Sequence, residues 1–225
     1  MIDRPTSLVV HGLHRPMVNL ALFALAREAN PNLVWMELRL VGEPPYPGDP
    51  VGLGWVPESQ RVTIDRLDAM RPNEVFAGPA FSDLILDRPP DDTIDRLLDF
   101  LTLPEASQQL IASRPVGSAP GLVAVADAHR LISSYPSALL GPVLAAHRAA
   151  GYSLFVGYTE VPCPAFDAFD YRVEIEGDRL EDWPRARLVC EHGDERGTLR
   201  TGASYRLSEL PFLERTFRLA AAAAV

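Results

Sequence analysis

The stretch from residue 7 to residue 40 constrains the fold most, because it predicts a strand, a turn, a helix and a second strand in succession. The apolar run 7–11 reads as a buried strand that ends at Gly12. Residues 17–29 are a nearly unbroken series of apolar helix formers. An Asn-Pro-Asn turn then precedes the apolar run 33–36, a second buried strand. Two buried strands joined through a helix indicate a parallel α/β sheet.

The same unit carries one residue of the P-loop, the motif with which many nucleotide-binding proteins hold phosphates. The motif is G-x-x-x-x-G-K-[ST], in which backbone N–H groups surround the phosphates and the lysine neutralises their charge. When Gly12 is taken as its first glycine, Met17, Val18 and Asn19 stand where the second glycine, the lysine and the hydroxyl residue should be. The sequence contains no lysine, so no other register restores the motif. Two interpretations follow: a nucleotide site that has decayed, or an ordinary α/β crossover that never bound phosphate.

Length and charge limit the classes of protein that fit. A chain of 225 residues suits one α/β domain spanning residues 1–225. Its net charge of -9, with acidic and basic residues interspersed, argues against a chain whose own field draws it to nucleic acid or to an anionic membrane.

Targeting signals and cysteines point to the cytoplasm. The two cysteines, Cys163 and Cys190, do not make a disulfide framework, and the N-terminus lacks the pattern of a signal peptide. No apolar run approaches the roughly 18 residues that a membrane span needs. We therefore predict a cytoplasmic protein that does not bind membranes.

The region after the second strand is read mainly from its turn and helix signals. Residues 41–57 contain five prolines and four glycines, which predicts a long surface loop. Residues 58–88 are ambiguous, with a helix over 62–70 as one possibility. Helices are predicted over 91–101, where apolar residues recur at helical spacing, and from Pro104 to 115.

A second organising stretch is residues 121–127, an apolar run that ends in Asp127. It predicts a buried strand with a carboxylate at its end, a feature common in α/β proteins and weak evidence alone. A helix is predicted over 136–150 and a further buried strand over 153–160.

In order and spacing, the strand ending at Asp127, the following helix and the strand ending at Thr159 and Glu160 resemble the centre of RecA-like and KaiC-like ATPase domains. Such domains also carry antiparallel strands at one edge, and residues 171–177 and 185–190 alternate as such strands should. The resemblance covers about residues 6–193. It implies a RecA-like three-layer sandwich with a mainly parallel sheet and antiparallel edge strands. Beyond it, the spacing of apolar residues over 207–225 predicts a C-terminal helix with Leu210, Leu213 and Phe217 on one face.

The resemblance also implies roles for particular residues. Asp127 takes the position of the Walker B aspartate, which holds the Mg²⁺ of the nucleotide. Glu37 takes the position of a glutamate that activates the attacking water in many KaiC-like proteins, although a charged strand end is the simpler interpretation. With Met17, Val18 and Asn19 after Gly12, phosphate clamping and charge neutralisation are both lost, so we expect no ATP hydrolysis and no cofactor.

Ligands of α/β sheets bind outside the carboxyl ends of the strands, so polar residues should gather at that edge. The predicted cluster comprises His11, His14, Glu37, Asp127, His129, Thr159 and Glu160. A metal-dependent hydrolase would use its three histidines and Asp127 as ligands. The H-x-x-H and D-x-H spacings are unspecific, and we predict no metal site.

The function predicted from the sequence is that of a non-catalytic RecA-like or KaiC-like protein. RecA-like domains act as oligomers, so a member without catalysis would serve as a regulatory or scaffolding subunit, through self-association or by docking on a partner protein. The resemblance suggests DNA repair or signalling, although a fold does not determine a function. The alternatives are a metal- or nucleotide-dependent hydrolase and a recombination accessory that binds single-stranded DNA, which the acidic charge disfavours.

Overall fold

The computed structural model describes residues 4–31, 33–38, 48–57, 61–64, 121–128, 144–145, 148–149, 151–159, 164–194 and 199–223. The helices predicted over 91–101 and 104–115 lie outside these residues. Of the helix predicted over 136–150, the described residues 144, 145, 148 and 149 are helical.

The described residues form one sheet and, besides the helical residues just named, two α-helices with defined bounds. The strands are β1 Ser7–His11, β2 Val34–Leu38, β3 Arg61–Ile64, β4 Gly121–Ala126, β5 Tyr152–Tyr158, β6 Tyr171–Glu176, β7 Arg187–His192 and β8 Ser204–Arg206. The helices are α1 Arg15–Ala29 and α2 Pro211–Ala223. The sheet order is β3-β2-β4-β5-β1-β6-β7-β8.

Most of the sheet is parallel. Strands β3, β2, β4, β5, β1 and β6 pair in parallel, and among the described strands only the β6–β7 and β7–β8 pairs are antiparallel. The structure therefore confirms an α/β fold with a mainly parallel sheet and antiparallel strands at one edge.

One strand direction predicted from the sequence is wrong. Residues 171–177 were expected to run antiparallel, but β6 runs parallel to β1, with Leu8 opposite Tyr171. Apolar and polar residues alternate in β6 because the strand is half-buried. Half-burial does not determine whether a strand runs parallel or antiparallel to its neighbour. Direction depends on the connection from β5, which includes the 3₁₀ helix Pro164–Ala168 and brings the chain back to the edge where β1 begins.

Both faces of the sheet are covered at its centre. Successive residues of a strand point to opposite faces, and Leu8, Val9 and Val10 of β1 are all fully buried. Helix α1 covers one face, contacting β1, β4, β5 and β6, and α2 packs on α1.

Helix α1 is buried on nearly all sides, which explains its apolar sequence. Residues 16–26 are buried without interruption, as expected for a helix enclosed between a sheet and a second helix. Pro16 occupies the first turn, where a proline costs no intrahelical hydrogen bond.

The segment predicted as a long surface loop over 41–57 is partly a core element. Within its described residues 48–57, Asp49, Val51 and Val56 are buried. The prolines and glycines correctly predicted that the segment is irregular. Irregular backbone can still cover a core when its polar groups are hydrogen-bonded. Backbone N–H groups of Leu53, Gly54 and Trp55 donate within the segment at 2.9 Å.

Two further boundaries differ from the predictions. Residues 61–64 form strand β3 rather than part of a helix. The C-terminal helix begins at Pro211 rather than at 207, because β8 and the 3₁₀ helix Leu207–Glu209 precede it. The inward face of α2 is as the pattern predicted, with Leu213 and Phe217 fully buried.

Candidate functional site

The carboxyl ends of β1, β2, β4 and β5 lie together at one edge of the sheet, the edge where α/β proteins bind ligands. His11 ends β1, Glu37 lies near the end of β2, and Asp127 and Thr159 directly follow β4 and β5. The predicted site residues that the structure describes are therefore near this edge, but their side chains do not form one cluster.

The connection between β1 and α1 leaves little space where a P-loop would hold phosphate. Only residues 12–14 separate β1 from α1, so Met17, Val18 and Asn19 lie inside the helix, where all three are buried. A Cβ atom added at Gly12 would lie 2.8 Å from the carbonyl oxygen of Ile175 and 3.2 Å from Val18 Cγ2. The loop thus packs directly against β6 and against its own helix.

Arg15, the first residue of α1, brings a positive charge to the strand ends. Its Nη2 lies 2.8 Å from Asp127 Oδ2 and 3.5 Å from Asp49 Oδ2. The two carboxylate side chains are only 1% and 3% exposed, respectively. Charge pairs held this far from water require good geometry, since each ion has given up its hydration. We refer to Arg15, Asn19, Glu37, Asp49 and Asp127 as the Arg15 cluster.

Asp49 joins this cluster from the segment 48–57. The amide nitrogen of Asn19 donates to Asp49 Oδ1 at 3.2 Å. Burial raises the pKa of Asp49 to about 7; Arg15 and the hydrogen bond from Asn19 oppose the shift, and the charges of Asp127 and Glu37 add to it. Near neutral pH the Asp49 carboxyl is therefore partly protonated, which reduces the excess of negative charge in the cluster.

Glu37 is the third acidic residue of the cluster, and its side chain accepts a hydrogen bond from a residue outside the cluster. The indole nitrogen of Trp35 donates to Glu37 Oε1 at 3.3 Å. Glu37 is nearly buried, so it is part of the packed strand end rather than an exposed charge.

The turn after β4 sets the position of Asp127. Asp127 has a φ of 57°, in the left-handed region that aspartate tolerates better than most residues. The next backbone N–H, of Ala128, donates to the carbonyl oxygen of Gly157 at 2.7 Å. A side chain at Gly157 would lie 3.1 Å from Asn19 Oδ1, so the glycine lets α1 approach β5 closely enough for Asn19 to reach Asp49.

His11 belongs to a different group, which faces β6 and β7. Its Nε2 lies 2.6 Å from Glu191 Oε2, and the same carboxylate oxygen lies 2.8 Å from Arg172 Nε. The His11 ring also contacts the ring of Phe166, with centroids 5.4 Å apart. A buried histidine held in this way is explained by its hydrogen bond and packing.

His14 and Thr159 are not joined to the Arg15 cluster by any hydrogen bond in the described part of the chain. Burial lowers the pKa of His14, against the opposing charges of Glu181 and Asp178. His129 and Glu160 lie outside the described residues.

Sequence reasoning missed Arg15 and Asp49, the two residues that organise the cluster. Arg15 lies between the predicted strand and the predicted helix and belongs to neither, and Asp49 lies in a segment whose sequence predicts a surface loop. A charged residue at a predicted helix start, directly across from a strand ending in aspartate, is the one signal that could have identified Arg15.

Other chemical features of the described residues are limited. Across the ranges that the structure describes, no three His, Cys, Asp or Glu side chains are grouped so as to hold a metal ion. Cys190 is buried, and burial raises the pKa of its thiol to about 11. None of the described helices combines the length and the apolar character that a membrane span requires.

Comparison of the chain with protein-family models finds no match, and comparison with curated proteins finds none either.

Proposed function

We propose that this chain is a non-catalytic relative of the RecA-like and KaiC-like ATPases that acts as a regulatory or scaffolding subunit. In this proposal the scaffold of the nucleotide site is kept, while the protein's own side chains fill it. We further propose that the protein is cytoplasmic and works by binding other proteins.

The order of the strands supports the RecA-like part of the proposal. Strand β1, which precedes the altered P-loop position, lies between β5 and β6, and β5 separates it from β4, the strand that leads to Asp127. The resemblance implies a mainly parallel sheet with antiparallel strands at one edge, and six described strands pair in parallel beside the antiparallel pairs β6–β7 and β7–β8.

The ion pair of Arg15 with Asp127 is the single observation that carries the non-catalytic part. An aspartate at the Walker B position serves catalysis by holding Mg²⁺. Here a guanidinium lies 2.8 Å from that carboxylate, so a protein cation takes the place that the proposal assigns to the metal in active relatives.

The residues that stand at the P-loop positions also support a non-catalytic protein. Met17 and Val18 are fully buried apolar side chains, and neither can donate a hydrogen bond or neutralise a phosphate. Loss of such contacts removes several orders of magnitude in rate from phosphoryl transfer. A protein with this arrangement would keep a function in binding rather than in catalysis.

A phosphate-release assay tests the catalytic part. The purified chain would be incubated with Mg²⁺ and ATP beside its Asp127→Asn variant. We expect equal, background release from both proteins, because Asp127 is already engaged by Arg15. ATP turnover by the unaltered chain that Asp127→Asn abolishes would refute the proposal.

Co-purification and reconstitution test the binding part. Tagged protein would be recovered from its own cells, and any recovered protein would be purified and mixed with the chain at known concentrations. We expect a complex of defined mass by light scattering. A chain that stays monomeric with every recovered protein, but binds single-stranded DNA with a steep salt dependence, would favour the recombination accessory instead.

A further inference from the structure

A groove lies between the C-terminal half of α1 and α2, on the side of the sheet that these helices cover. Its volume is about 680 Å³, and its apolar lining comes from Phe23 of α1, Trp55 of the segment 48–57, and Phe212 and Leu219 of α2. The rings of Phe23 and Trp55 lie with their centroids 6.0 Å apart. This is a concave surface with aromatic walls, the kind of surface that receives apolar side chains.

Leu219 leaves part of this lining open to solvent. Its side chain is 52% exposed, and the only other large apolar residue found exposed in the described ranges is Leu13 at 76%. Leu13 lies in the loop between β1 and α1, away from the groove. The described residues therefore offer two exposed leucines, one within the groove and one elsewhere.

The rim of the groove is basic, although the chain as a whole is acidic. Arg27 and Arg215 line it, with Glu28 as their one acidic neighbour in the lining. Neither guanidinium forms an ion pair with any residue in the described part of the chain. Arg27 lies instead over the ring of Phe23, 5.7 Å from its centroid. In a chain of net charge -9, two exposed arginines beside an apolar groove provide a local positive field.

We propose that this groove binds an amphipathic helix of a partner protein, with apolar residues on one face and acidic residues on its flanks. Apolar side chains spaced i, i+3, i+4 and i+7 would enter the groove, as in other helix-in-groove complexes. Glutamate or aspartate beside them would meet Arg27 and Arg215. The proposal rests on the docking role proposed above and identifies where docking occurs and what chemistry it selects.

A second copy of the chain fits the groove less well. In a symmetric dimer the same patch faces itself, so Arg27 and Arg215 would approach the same arginines of the other copy. Like charges that face each other in an interface oppose association. Two chains of net charge -9 would also repel each other at long range.

Two synthetic peptides of 16 residues test the proposal. Both carry Leu and Phe at i, i+3, i+4 and i+7; one has Glu on both flanks and the other has Lys. Fluorescence anisotropy of the labelled peptides would be measured against the full chain at low salt. We expect the Glu peptide to bind at least about tenfold more tightly than the Lys peptide, with affinity falling as salt rises.

Variants assign the binding to the groove. Leu219→Asp should abolish binding of the Glu peptide, while Leu13→Asp, a substitution at an even more exposed leucine, should leave it unchanged. The double variant Arg27→Glu and Arg215→Glu should reverse the preference, so that the Lys peptide binds more tightly. A reversal cannot result from misfolding, which would weaken both peptides.

Several results would overturn the proposal. Equal binding of the two peptides, or equal effects of Leu219→Asp and Leu13→Asp, would exclude a groove selective for acidic helices. A dimer that Leu219→Asp dissociates would assign the groove to a second copy. These outcomes are independent of the proposed loss of catalysis, because the titrations contain no nucleotide and ATP turnover is measured separately.

Discussion

Replacing Arg15 by methionine tests whether the cluster at the strand ends depends on its one guanidinium. Methionine is unbranched and has a helix propensity close to that of arginine, so the start of α1 is little affected. The substitution removes the positive charge that lies 2.8 Å from Asp127 and 3.5 Å from Asp49. Two buried carboxyl groups then lose the guanidinium beside them.

The size of the effect follows from the distances and the burial. At an effective dielectric constant of about 20, Coulomb's law gives an attraction of about 6 kcal/mol for charges 2.8 Å apart. Removing one partner of a buried pair lowers the free energy of unfolding by about 3–5 kcal/mol, because the other charge stays buried. Asp49 limits the loss, since its pKa of about 7 lets it take up a proton. For a chain of this length the melting temperature should fall by roughly 10 °C.

Urea unfolding followed by circular dichroism measures this change at pH 7.5. Arg27→Met is the matched control, because it removes an exposed arginine of the same helix that forms no ion pair among the described residues. It loses only the contact with the Phe23 ring, so it should change stability by no more than about 1 kcal/mol. Adding Asp127→Asn to Arg15→Met should recover part of the loss. If Arg15→Met and Arg27→Met had the same effect, the assigned role of Arg15 would be wrong.

Three further predictions concern pH dependence and packing. Since the pKa of Asp49 rises from 3.8 unfolded to about 7 folded, its contribution to stability is lost as pH rises from about 4 to 7. Between pH 5 and pH 8, the free energy of unfolding measured with urea should therefore fall in both proteins by different amounts. The fall should be smaller in Asp49→Asn than in the unaltered chain, by on the order of 2 kcal/mol. Phe217→Ala should cost about 3–5 kcal/mol, because Phe217 is fully buried and stacks on Trp183 with centroids 6.3 Å apart; an unchanged urea midpoint would contradict this packing. Gly193→Ala should lower the melting temperature, because the added Cβ would lie 2.3 Å from the carbonyl oxygen of Leu199 and backbone must move; a melting temperature equal to that of the unaltered chain would show that the strand end is not so closely packed.

The central strands could be predicted well from the sequence, because a strand buried on both faces of the sheet is apolar along most of its length. Residues 7–11, 121–126 and 152–158 are mostly apolar runs, and each is a strand within a residue or two of its predicted ends. The start of α1 was placed two residues late because Arg15 and Pro16 are not part of the apolar run.

The remaining features depend on contacts between residues far apart in the sequence, which local sequence patterns do not predict. Strand β8 has only three residues and owes its existence to its pairing with β7. The direction of β6 depends on a connection rather than on its own residues. Asp49 is buried because it meets Arg15 and Asn19, residues more than 29 positions away in the chain, and no periodicity in its own segment signals that contact.

Isothermal titration calorimetry of the chain with Mg²⁺ and ATP tests the central claim most directly. If Arg15 occupies the place of the metal and buried apolar side chains occupy the place of the lysine, the titration should give no binding heat at millimolar ATP. Binding at micromolar ATP that requires Mg²⁺ and is lost in Asp127→Asn would contradict the claim, because Asp127 would then be available to a metal.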